Sequence, residues 1–404
     1  MIKRIYFFIY LVIFIVFLSW SEKIIPTRNE ISELQLSRVA GFDVEEPSKK
    51  VQFSLVVDSE KEKSKNASSD QNSNSGKKEN VITVTSDTFA MCLQGLQGYR
   101  EKTFTTGHIK NILIGENAAK NGLVEEFDFA ARNYDLRFDT NVYVTKDTSA
   151  KDFLITGTKE VSSLNAGIEN LSTTLRGASA PGDYKVVDIL KMLTSEQKSG
   201  LIPAVELVKE EEEKKEWRIE NSEEKGESVR MEVAGYGIIK DAKLISFFSE
   251  EELHGYNTVN ENYINLMLTL KNGEEKVGID ISDIKVKKNF VFSKDKLEEV
   301  KLEIELVGDI TEVSDGKNLL KEGLSFYEQK TSEMVTNYVL DAVKKSQETD
   351  VDFLKIKQSF RMQHPYRYEK MKDDFEKEFS TLPVTVDVQT TINKTYGMFS
   401  VVEE

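Results

Sequence analysis

Cysteine, histidine and proline are scarce in this chain of 404 residues, and the first two shortages limit the kinds of site it can form. The single cysteine, Cys92, can form neither an intramolecular disulfide nor a cysteine-based zinc site. Its setting, F-A-M-C-L, predicts the buried face of a helix, where cysteine behaves as a small apolar side chain. The three histidines, His108, His254 and His364, lie far apart in the sequence, so only the fold could assemble them into a metal site or a triad.

Positive charge is in short supply as well. Asp and Glu number 69 against 54 Lys and Arg, which leaves a net charge of −15. This sign opposes the counterion release that drives binding to nucleic acids, so we expect no nucleic-acid partner. With 39% hydrophobic and 30% charged residues the composition is globular, and the length favours two or three domains.

The phosphate-loop, dinucleotide-binding, serine-hydrolase, zinc-protease and EF-hand motifs are absent from the sequence. The nearest approach, from Gly235 to Gly237, lacks a third glycine opening a helix and is typical of a strand near a turn. His364 precedes a proline, which favours a turn between helices with packed aromatics. His108 stands at the start of an apolar strand, which is typical of a structural histidine. We therefore predict no catalytic residue, no cofactor-binding residue and no metal ligand.

An apolar run near the N-terminus is the strongest physical signal in the sequence. Lys3 and Arg4 precede an uninterrupted apolar stretch from Ile5 to Leu18. Extended to Trp20, it would be about 24 Å long as a helix, short of the ~30 Å hydrocarbon core by an amount that hydrophobic mismatch can accommodate. Because the basic residues come first, the positive-inside rule places the rest of the chain outside the cytoplasm.

Residues 1–25 therefore predict an export signal, for which two fates are open. The segment remains as a membrane anchor, or it is cut as a signal peptide after the small residues Ser19 and Ser21. We favour the anchor because Ser-Trp-Ser matches an A-x-A-like cleavage site poorly and the apolar run is long for a signal peptide.

Strands and helices alternate along the rest of the chain, which predicts an α+β fold of three mixed α/β domains behind the N-terminal apolar membrane segment. We place these domains at residues 26–208, 229–290 and 291–404. Residues 58–80 contain one alanine and no larger apolar residue, which predicts a disordered surface loop. Fourteen of the 20 residues at 209–228 are charged, which predicts a solvated linker or an exposed junction between a helix and a strand.

Several single elements are also predicted. Residues 151–208 have a mainly helical pattern, and Ser249 with Glu252 predicts a capping box at the start of a helix. A strand is expected from Val277 to Ile281, and the C-terminal strand should pair with the strand at residues 300–308. The longest helix is expected at about 319–349. Its apolar stripe, which predicts the face that packs on the core, consists of Leu320, Leu324, Tyr327, Met334, Tyr338 and Ala342.

Five segments carry a family resemblance through their order along the chain. They read E-I-S-E-L-Q-L-S-R-V-A-G-F-D at residues 30–43, T-T-G-H-I-K-N-I-L-I-G-E at 105–116, R-F-D-T-N-V-Y-V-T ending at 145, I-P-A-V-E-L-V at 202–208, and G-Y-G-I-I-K-D-A-K-L-I-S-F-F-S-E-E-E-L-H-G-Y at 235–256. A helix-rich segment and a final β segment ending in Y-G complete the order. Over roughly residues 28–397 the chain resembles the Ger(x)C family of spore germination proteins.

This resemblance implies the C subunit of a spore germinant receptor. It implies a non-enzymatic, three-domain α+β protein on the outer face of the inner spore membrane. Its implied partners are a membrane-embedded A subunit and a transporter-like B subunit that receives the nutrient. Members of the family are not known as enzymes.

One departure from the family pattern concerns lipid attachment. The family begins with a lipobox cysteine in C-W-D-x-R-E, and aligning Glu30 with the glutamate of this motif places Ile25 at the position of that cysteine. Without a thiol, diacylglyceryl attachment is chemically impossible there. The apolar segment marked by Ile5, Leu18 and Trp20 would have to serve as the anchor.

Two alternatives to a receptor subunit stay open. An extracytoplasmic solute-binding protein would need a cleft lined by convergent polar groups. A cell-wall hydrolase would need two facing carboxylates at the separation found in glycosidases.

Overall fold

The computed structural model describes residues 2–21, 34–58, 79–99, 103–161, 163–177, 184–209, 229–262, 266–272, 275–294, 296–313 and 323–395. Most of the predicted loop 58–80 and of the predicted linker 209–228 therefore falls outside the described residues, as does Ile25. Helix α1 covers Ile2–Ser21 and includes the positions of Ile5, Leu18 and Trp20. Within the part of the chain that the structure describes, no helix is both long enough and apolar enough to cross a membrane.

Nine of the described strands form a mixed sheet in the first part of the chain. They are β1 (Leu34–Glu45), β2 (Lys50–Asp58), β3 (Glu79–Ser86), β4 (Thr103–Thr105), β5 (Asn111–Ile114), β6 (Asn141–Thr145), β7 (Gly200–Lys209), β8 (Val229–Lys240) and β9 (Lys243–Phe247). Their order is β3-β2-β1-β5-β6-β7-β8-β9, with β4 beside β1. The central strands β1, β5, β6 and β7 run parallel, whereas β2, β3, β8 and β9 pair antiparallel at the two sides.

Six helices cover both faces of this first sheet. They are α2 (Phe89–Tyr99), α3 (Glu116–Asn121), α4 (Val124–Arg132), α5 (Ala150–Glu160), α6 (Leu164–Gly177) and α7 (Val186–Thr194). One face packs against α2, α3, α4 and α7, and the predicted burial of Cys92 within α2 is confirmed. The other face packs against α5 and α6 through Phe153 and Leu164. Parallel strands buried on both faces are typically continuous apolar runs, as N-I-L-I and N-V-Y-V are here.

Four described strands form a second sheet, in the order β10-β11-β12-β13. They are β10 (Leu266–Asn272), β11 (Glu275–Ser293), β12 (Lys296–Val313) and β13 (Val384–Thr395). The first three pair antiparallel, and β13 pairs parallel with β12 so that Val384 lies opposite Val300. The predicted pairing of the C-terminal strand with residues 300–308 is confirmed.

The helices of this second region cover one face of its sheet. They are α8 (Glu250–Val259), α9 (Leu324–Thr349), α10 (Ile356–Gln363) and α11 (Pro365–Glu378). Along β12, buried Leu302 and Ile304 alternate with exposed Lys301, Glu303 and Glu305. This alternation is the period of a sheet with one face on the core and one face in solvent.

The α+β class is confirmed, but the strands divide differently from the predicted units. Strands β8 and β9, from the predicted second domain at 229–290, complete the first sheet, whereas β10 and most of β11 belong to the second sheet. The cause is the antiparallel pairing of β7 with β8, in which Lys209 lies opposite Val229. Residues 210–228 thus connect two neighbouring strands of one sheet. The boundaries of folding domains stay predictions.

Three predicted elements need correction. The mainly helical pattern of residues 151–208 ends with strand β7, and β11 continues twelve residues past the predicted strand end at Ile281, to Ser293. Of the stripe predicted for α9, Tyr327 and Ala342 are buried, and Met334 and Tyr338 are half-buried against the core. Leu324 is 41% exposed, and Leu320 lies outside the described residues. Thr331, which the stripe omitted, is fully buried. The hydroxyl of Thr331 donates to the Tyr327 carbonyl at 2.7 Å, which satisfies a polar group that apolar periodicity alone would place outside. The buried face of α9 consists of Tyr327, Thr331, Val335, Val339, Ala342, Val343 and Ser346.

Candidate functional site

The parallel strands β1, β5 and β6 end at the same edge of the first sheet, and the family-like segments G-F-D and I-G-E end there too. In open α/β sheets, ligands commonly bind at this carboxyl edge. Both family-like segments end in a carboxylate at this edge, Asp43 and Glu116. Whether this edge is a site depends on what those carboxylates contact.

Asp43 is only 5% exposed and binds the beginning of helix α5. Its two carboxylate oxygens each accept one hydrogen bond at 2.8 Å, from the backbone amides of Ala150 and Lys151. Burial raises the pKa of the Asp43 carboxyl, and the two amide donors act in the opposite direction. The negative charge also lies at the positive end of the helix dipole. Both oxygens are therefore engaged in holding α5 on the sheet.

The glycine of I-G-E makes room for that carboxylate. A Cβ atom on Gly115 would lie 1.9 Å from Oδ1 of Asp43, which is far inside van der Waals contact. The Gly115 amide donates to the Phe42 carbonyl at 2.8 Å and so fixes the strand end beside β1. Gly41 plays a similar part, since its Cβ would lie 2.9 Å from Cδ1 of Leu154. The glycines of both segments are explained by close packing.

Glu116 is engaged in the same way as Asp43. One carboxylate oxygen accepts the backbone amide of Asp147 at 2.5 Å, and the other accepts the Lys120 ammonium at 2.5 Å. The loop after β6 is thereby tied to the beginning of α3. The carboxyl edge of the first sheet is a structural centre in which both carboxylates already have partners inside the fold.

The segment at residues 235–256 forms the junction between the two regions. Asp241 and Ala242 both have positive φ, at 51° and 63°, in the two-residue turn between β8 and β9. Asp tolerates this conformation better than most residues. The capping box predicted for Ser249 and Glu252 is confirmed at the start of α8, where each side chain accepts the other residue's amide.

Helix α8 then presses directly against α9. A Cβ atom on Gly255 would lie 1.9 Å from the Tyr338 carbonyl oxygen, so only glycine permits this helix approach. Next to it, the Tyr256 ring lies 5.2 Å from the Tyr236 ring of the first sheet. Phe248 lies 4.9 Å from Phe353 of the second region. The end of the family-like segment therefore joins the first sheet to the second region through backbone contact and edge-to-face aromatic contacts.

The three histidines occupy different surroundings. His108 is exposed before β5, and His254 stacks on Tyr338 at 5.2 Å between ring centres. His364 lies between α10 and α11 with its ring 5.0 Å from Phe292, so the predicted turn with packed aromatics is confirmed. Among the described residues, no group of three or more His, Cys, Asp or Glu side chains could hold a metal ion.

The structure contains a polar cavity that the sequence did not predict. It has a volume of about 450 Å³ and lies where the turn after α8, the middle of β11 and helix α10 meet; we call it the β11 cavity. Its polar lining includes Glu261, Lys287, Lys288 and Lys355. The I-K-V-K-K-N pattern of β11 is the one signal in the sequence that could have indicated a basic strand there.

Comparison with known proteins assigns the family. Residues 27–207 match the family model described as spore germination protein N-terminal domain. Residues 234–396 match the model described as spore germination B3/GerAC like, C-terminal. No curated protein matches the chain in sequence.

A solved structure with a similar fold is described as the crystal structure of the GerBC protein. The alignment covers 90% of this chain and 99% of that chain, with a TM-score of 0.54 and 18% sequence identity. At this identity the similarity speaks for the fold alone. The two family models together span most of the chain and agree with the order of segments read from the sequence. This chain therefore belongs to the Ger(x)C family of spore germination proteins.

Proposed function

We propose that this chain is a non-enzymatic subunit of a nutrient germinant receptor that acts outside the cytoplasm as a scaffold. The observation that carries the proposal is the match of both halves of the chain to spore germination domains. The site geometry supports a scaffold role, because Asp43 and Glu116 already bind groups inside the fold. The partners in this proposal are the membrane-embedded A and B subunits of the receptor.

We further propose that α1 attaches the protein to the outer face of the inner spore membrane. The described side chains of α1 between Tyr6 and Val16 are apolar or aromatic and between 40% and 76% exposed. Leaving such a continuous apolar surface in water is unfavourable, so a membrane or a membrane-embedded partner that covers it would stabilise the assembly. Ile25 supplies no thiol for a lipid, which makes this contact the means of attachment.

Fractionation of spores tests the attachment. The full chain should stay with the membrane fraction after a high-salt wash and should incorporate no radiolabelled lipid. Recovery of a soluble species beginning at Glu22 would instead show that residues 1–21 are a cleaved signal peptide.

Co-purification tests the scaffold role. A tagged full chain, solubilised from spore membranes in mild detergent, should bring down the A and B subunits, and loss of the chain should slow nutrient-triggered germination. Replacing His108, His254 or His364 singly by Gln should leave the germination response intact wherever the protein still folds. A conservative change that stopped germination while stability and subunit association stayed normal would replace the scaffold with a catalytic or ligand-binding role.

A further inference from the structure

The β11 cavity is built on an uncovered strand edge. Strand β10 pairs with β11 only as far as Ile281, so the following residues of β11 have β12 on one side and no strand of the described chain on the other. The Val286 amide donates to Glu261 Oε1 at 2.8 Å, and the Gln363 side-chain amide donates to the Lys288 carbonyl at 3.0 Å. These two contacts fix the turn after α8 and helix α10 as opposite walls of the cavity.

Positive charge predominates in the cavity although the chain as a whole is acidic. Three lysines and one carboxylate line it, in a chain whose net charge is −15. Lys287 is paired with Glu305 at 3.1 Å, and the carboxylate of Glu261 already accepts the Val286 amide. Among the residues that the structure describes, none forms an ion pair with Lys355. The lining therefore carries net positive charge, although Glu261 and nearby Asp352 offset part of the charge on Lys288.

Lys288 and Lys355 also act on each other. Burial lowers the pKa of the Lys288 ammonium to about 8, nearby Asp352 opposes this, and the positive charge of Lys355 lowers it further. The Lys288 ammonium donates to the carbonyl of Leu354, the residue before Lys355. A negative charge in the cavity would relieve the repulsion between the two ammonium groups and favour the charged form of Lys288.

We propose that the β11 cavity binds a small organic or inorganic anion through carboxylate or phosphate oxygens, with Lys288 and Lys355 as its cationic ligands. The side-chain amide of Gln358 lines the same wall and can donate to the anion, while Val286 and Met362 offer apolar contact to a carbon skeleton. The volume falls within the ~300–1,000 Å³ typical of small-molecule sites. A solute-binding protein requires a cleft of this kind. The proposed site would therefore let the scaffold subunit also bind a small ligand.

Lysine suits this ligand class. Its ammonium is a compact point charge with three donors, which can bind single oxygens of a carboxylate or a phosphate without the fixed fork geometry of arginine. Amide side chains and two lysines at an open cavity therefore specify charge and size more strongly than shape.

Titration calorimetry on the full-length protein in detergent tests the site. Succinate and inorganic phosphate serve as separate probes at pH 7 and constant ionic strength. Saturable binding of at least one probe is expected, and the probe that saturates identifies whether carboxylate or phosphate oxygens are preferred. Absence of saturable binding for both probes overturns the proposal.

Two matched glycine variants locate the binding. Lys355 and Lys294 are both exposed lysines with positive φ, at 56° and 53°, so glycine removes one charge and relieves the backbone at each position. Lys355→Gly should weaken binding at least tenfold, whereas Lys294→Gly, in the turn between β11 and β12, should bind as the unaltered protein does. Equal binding by the two variants would refute the assignment.

A third variant tests the second proposed ligand, so that the assignment does not rest on Lys355 alone. Lys288→Gln should also weaken binding at least tenfold. Because the substitution also removes the contact with the Leu354 carbonyl, the unfolding midpoint of the variant is measured as well, to show that it is folded. If this variant folds and binds both probes normally, Lys288 is not a ligand and the proposal fails.

Discussion

The two sheets of this protein use their polar side chains in opposite ways. At the carboxyl edge of the first sheet, Asp43 and Glu116 are fully engaged with backbone amides and a lysine. At the edge of β11 in the second sheet, Lys355 has no ion-pair partner among the described residues. The place where α/β proteins usually bind ligands is thus used here to hold the fold together. The lysine without an ion-pair partner lies instead at the start of α10, beside the uncovered edge of β11.

Burial explains the difference. The first sheet is covered by helices on both faces, so a buried polar group near its strands is costly unless it has a partner, as Asp43 and the half-buried Glu116 do. The second sheet is covered on one face, and β11 extends beyond the end of its neighbour β10. Water can solvate the groups at that edge, so the fold leaves them available to a ligand.

The largest expected effect is at the junction between the two regions. Gly255→Ala would place a Cβ atom 1.9 Å from the Tyr338 carbonyl oxygen, a backbone atom that cannot move without shifting α9. We expect a loss of about 3–5 kcal/mol in the free energy of unfolding, measured by urea denaturation. The matched control is Gly98→Ala in helix α2, where a Cβ atom meets nothing within 4 Å. That change should stabilise the protein by about 0.5–1 kcal/mol. Equal midpoints for the two variants would contradict the close approach of α8 and α9.

A somewhat smaller effect tests the structural role of the first sheet's edge. Asp43→Ala leaves the buried amides of Ala150 and Lys151 without their acceptors, which should cost about 2–4 kcal/mol of stability. Asp128→Ala, which removes an exposed pair with Arg132, should cost less than about 0.5 kcal/mol. Anion binding in the β11 cavity should survive both changes. Loss of binding in a folded Asp43→Ala protein would mean that the two regions are coupled.

Burial without a partner makes one carboxyl of the first region sensitive to pH. Glu126 is 2% exposed, and its Oε2 atom has no hydrogen-bond partner among the described residues. Burial raises the pKa of Glu126 from 4.5 to about 7. The pKa of Glu126 is higher in the folded state than in the unfolded state. The contribution of the protonated Glu126 carboxyl to the free energy of unfolding is therefore complete below pH 4.5 and is lost as the pH rises through about 7.

Comparison with Glu126→Gln isolates this contribution. The variant should be more stable than the unaltered protein at pH 8, by at most about 3 kcal/mol, and the difference should shrink as the pH falls toward 5. Urea denaturation at a series of pH values measures it. A stability difference that does not change with pH would show that Glu126 titrates normally.

The smallest expected effect concerns the charge on β11. Because the pKa of Lys288 is about 8, raising the pH from 7 to 9 removes a cation that the proposed anion needs. Succinate affinity should fall several-fold over this interval. The other charged groups facing Lys288 are Lys355, Asp352 and Glu261. In Lys288→Gln the remaining affinity should be nearly independent of pH, and a persistent decline would assign the titration to another group.

Local signals in the sequence predicted much of the fold. The capping box at Ser249, the burial of Cys92 and the pairing of the C-terminal strand all follow from short patterns and are confirmed. The core-facing stripe of α9 is confirmed at Tyr327 and Ala342, but it omitted Thr331, whose hydroxyl is satisfied by its own helix. The length of β11 was missed because adjacent lysines interrupt its alternation.

The site features depend on distant parts of the chain, which a single sequence does not bring together. The β11 cavity joins residues near positions 260, 287 and 358, which no local periodicity connects. Likewise the glycine requirement at Gly115 and Gly255 arises from atoms of Asp43 and Tyr338. Composition could show that glycines and lysines are present, but their partners are fixed only by strand order and helix packing.

The parallel pairing of β13 with β12 sets the time at which the second sheet can be completed. Val300 can pair with Val384 only after β13 has been synthesised, and β13 is the last strand of that sheet along the chain. Until then, β12 offers an open row of backbone donors and acceptors to any other extended chain. Closing so long a loop also costs entropy before the pairing contributes, which slows the final step. Translation products that stop before β13 should therefore be the ones that aggregate or need a chaperone.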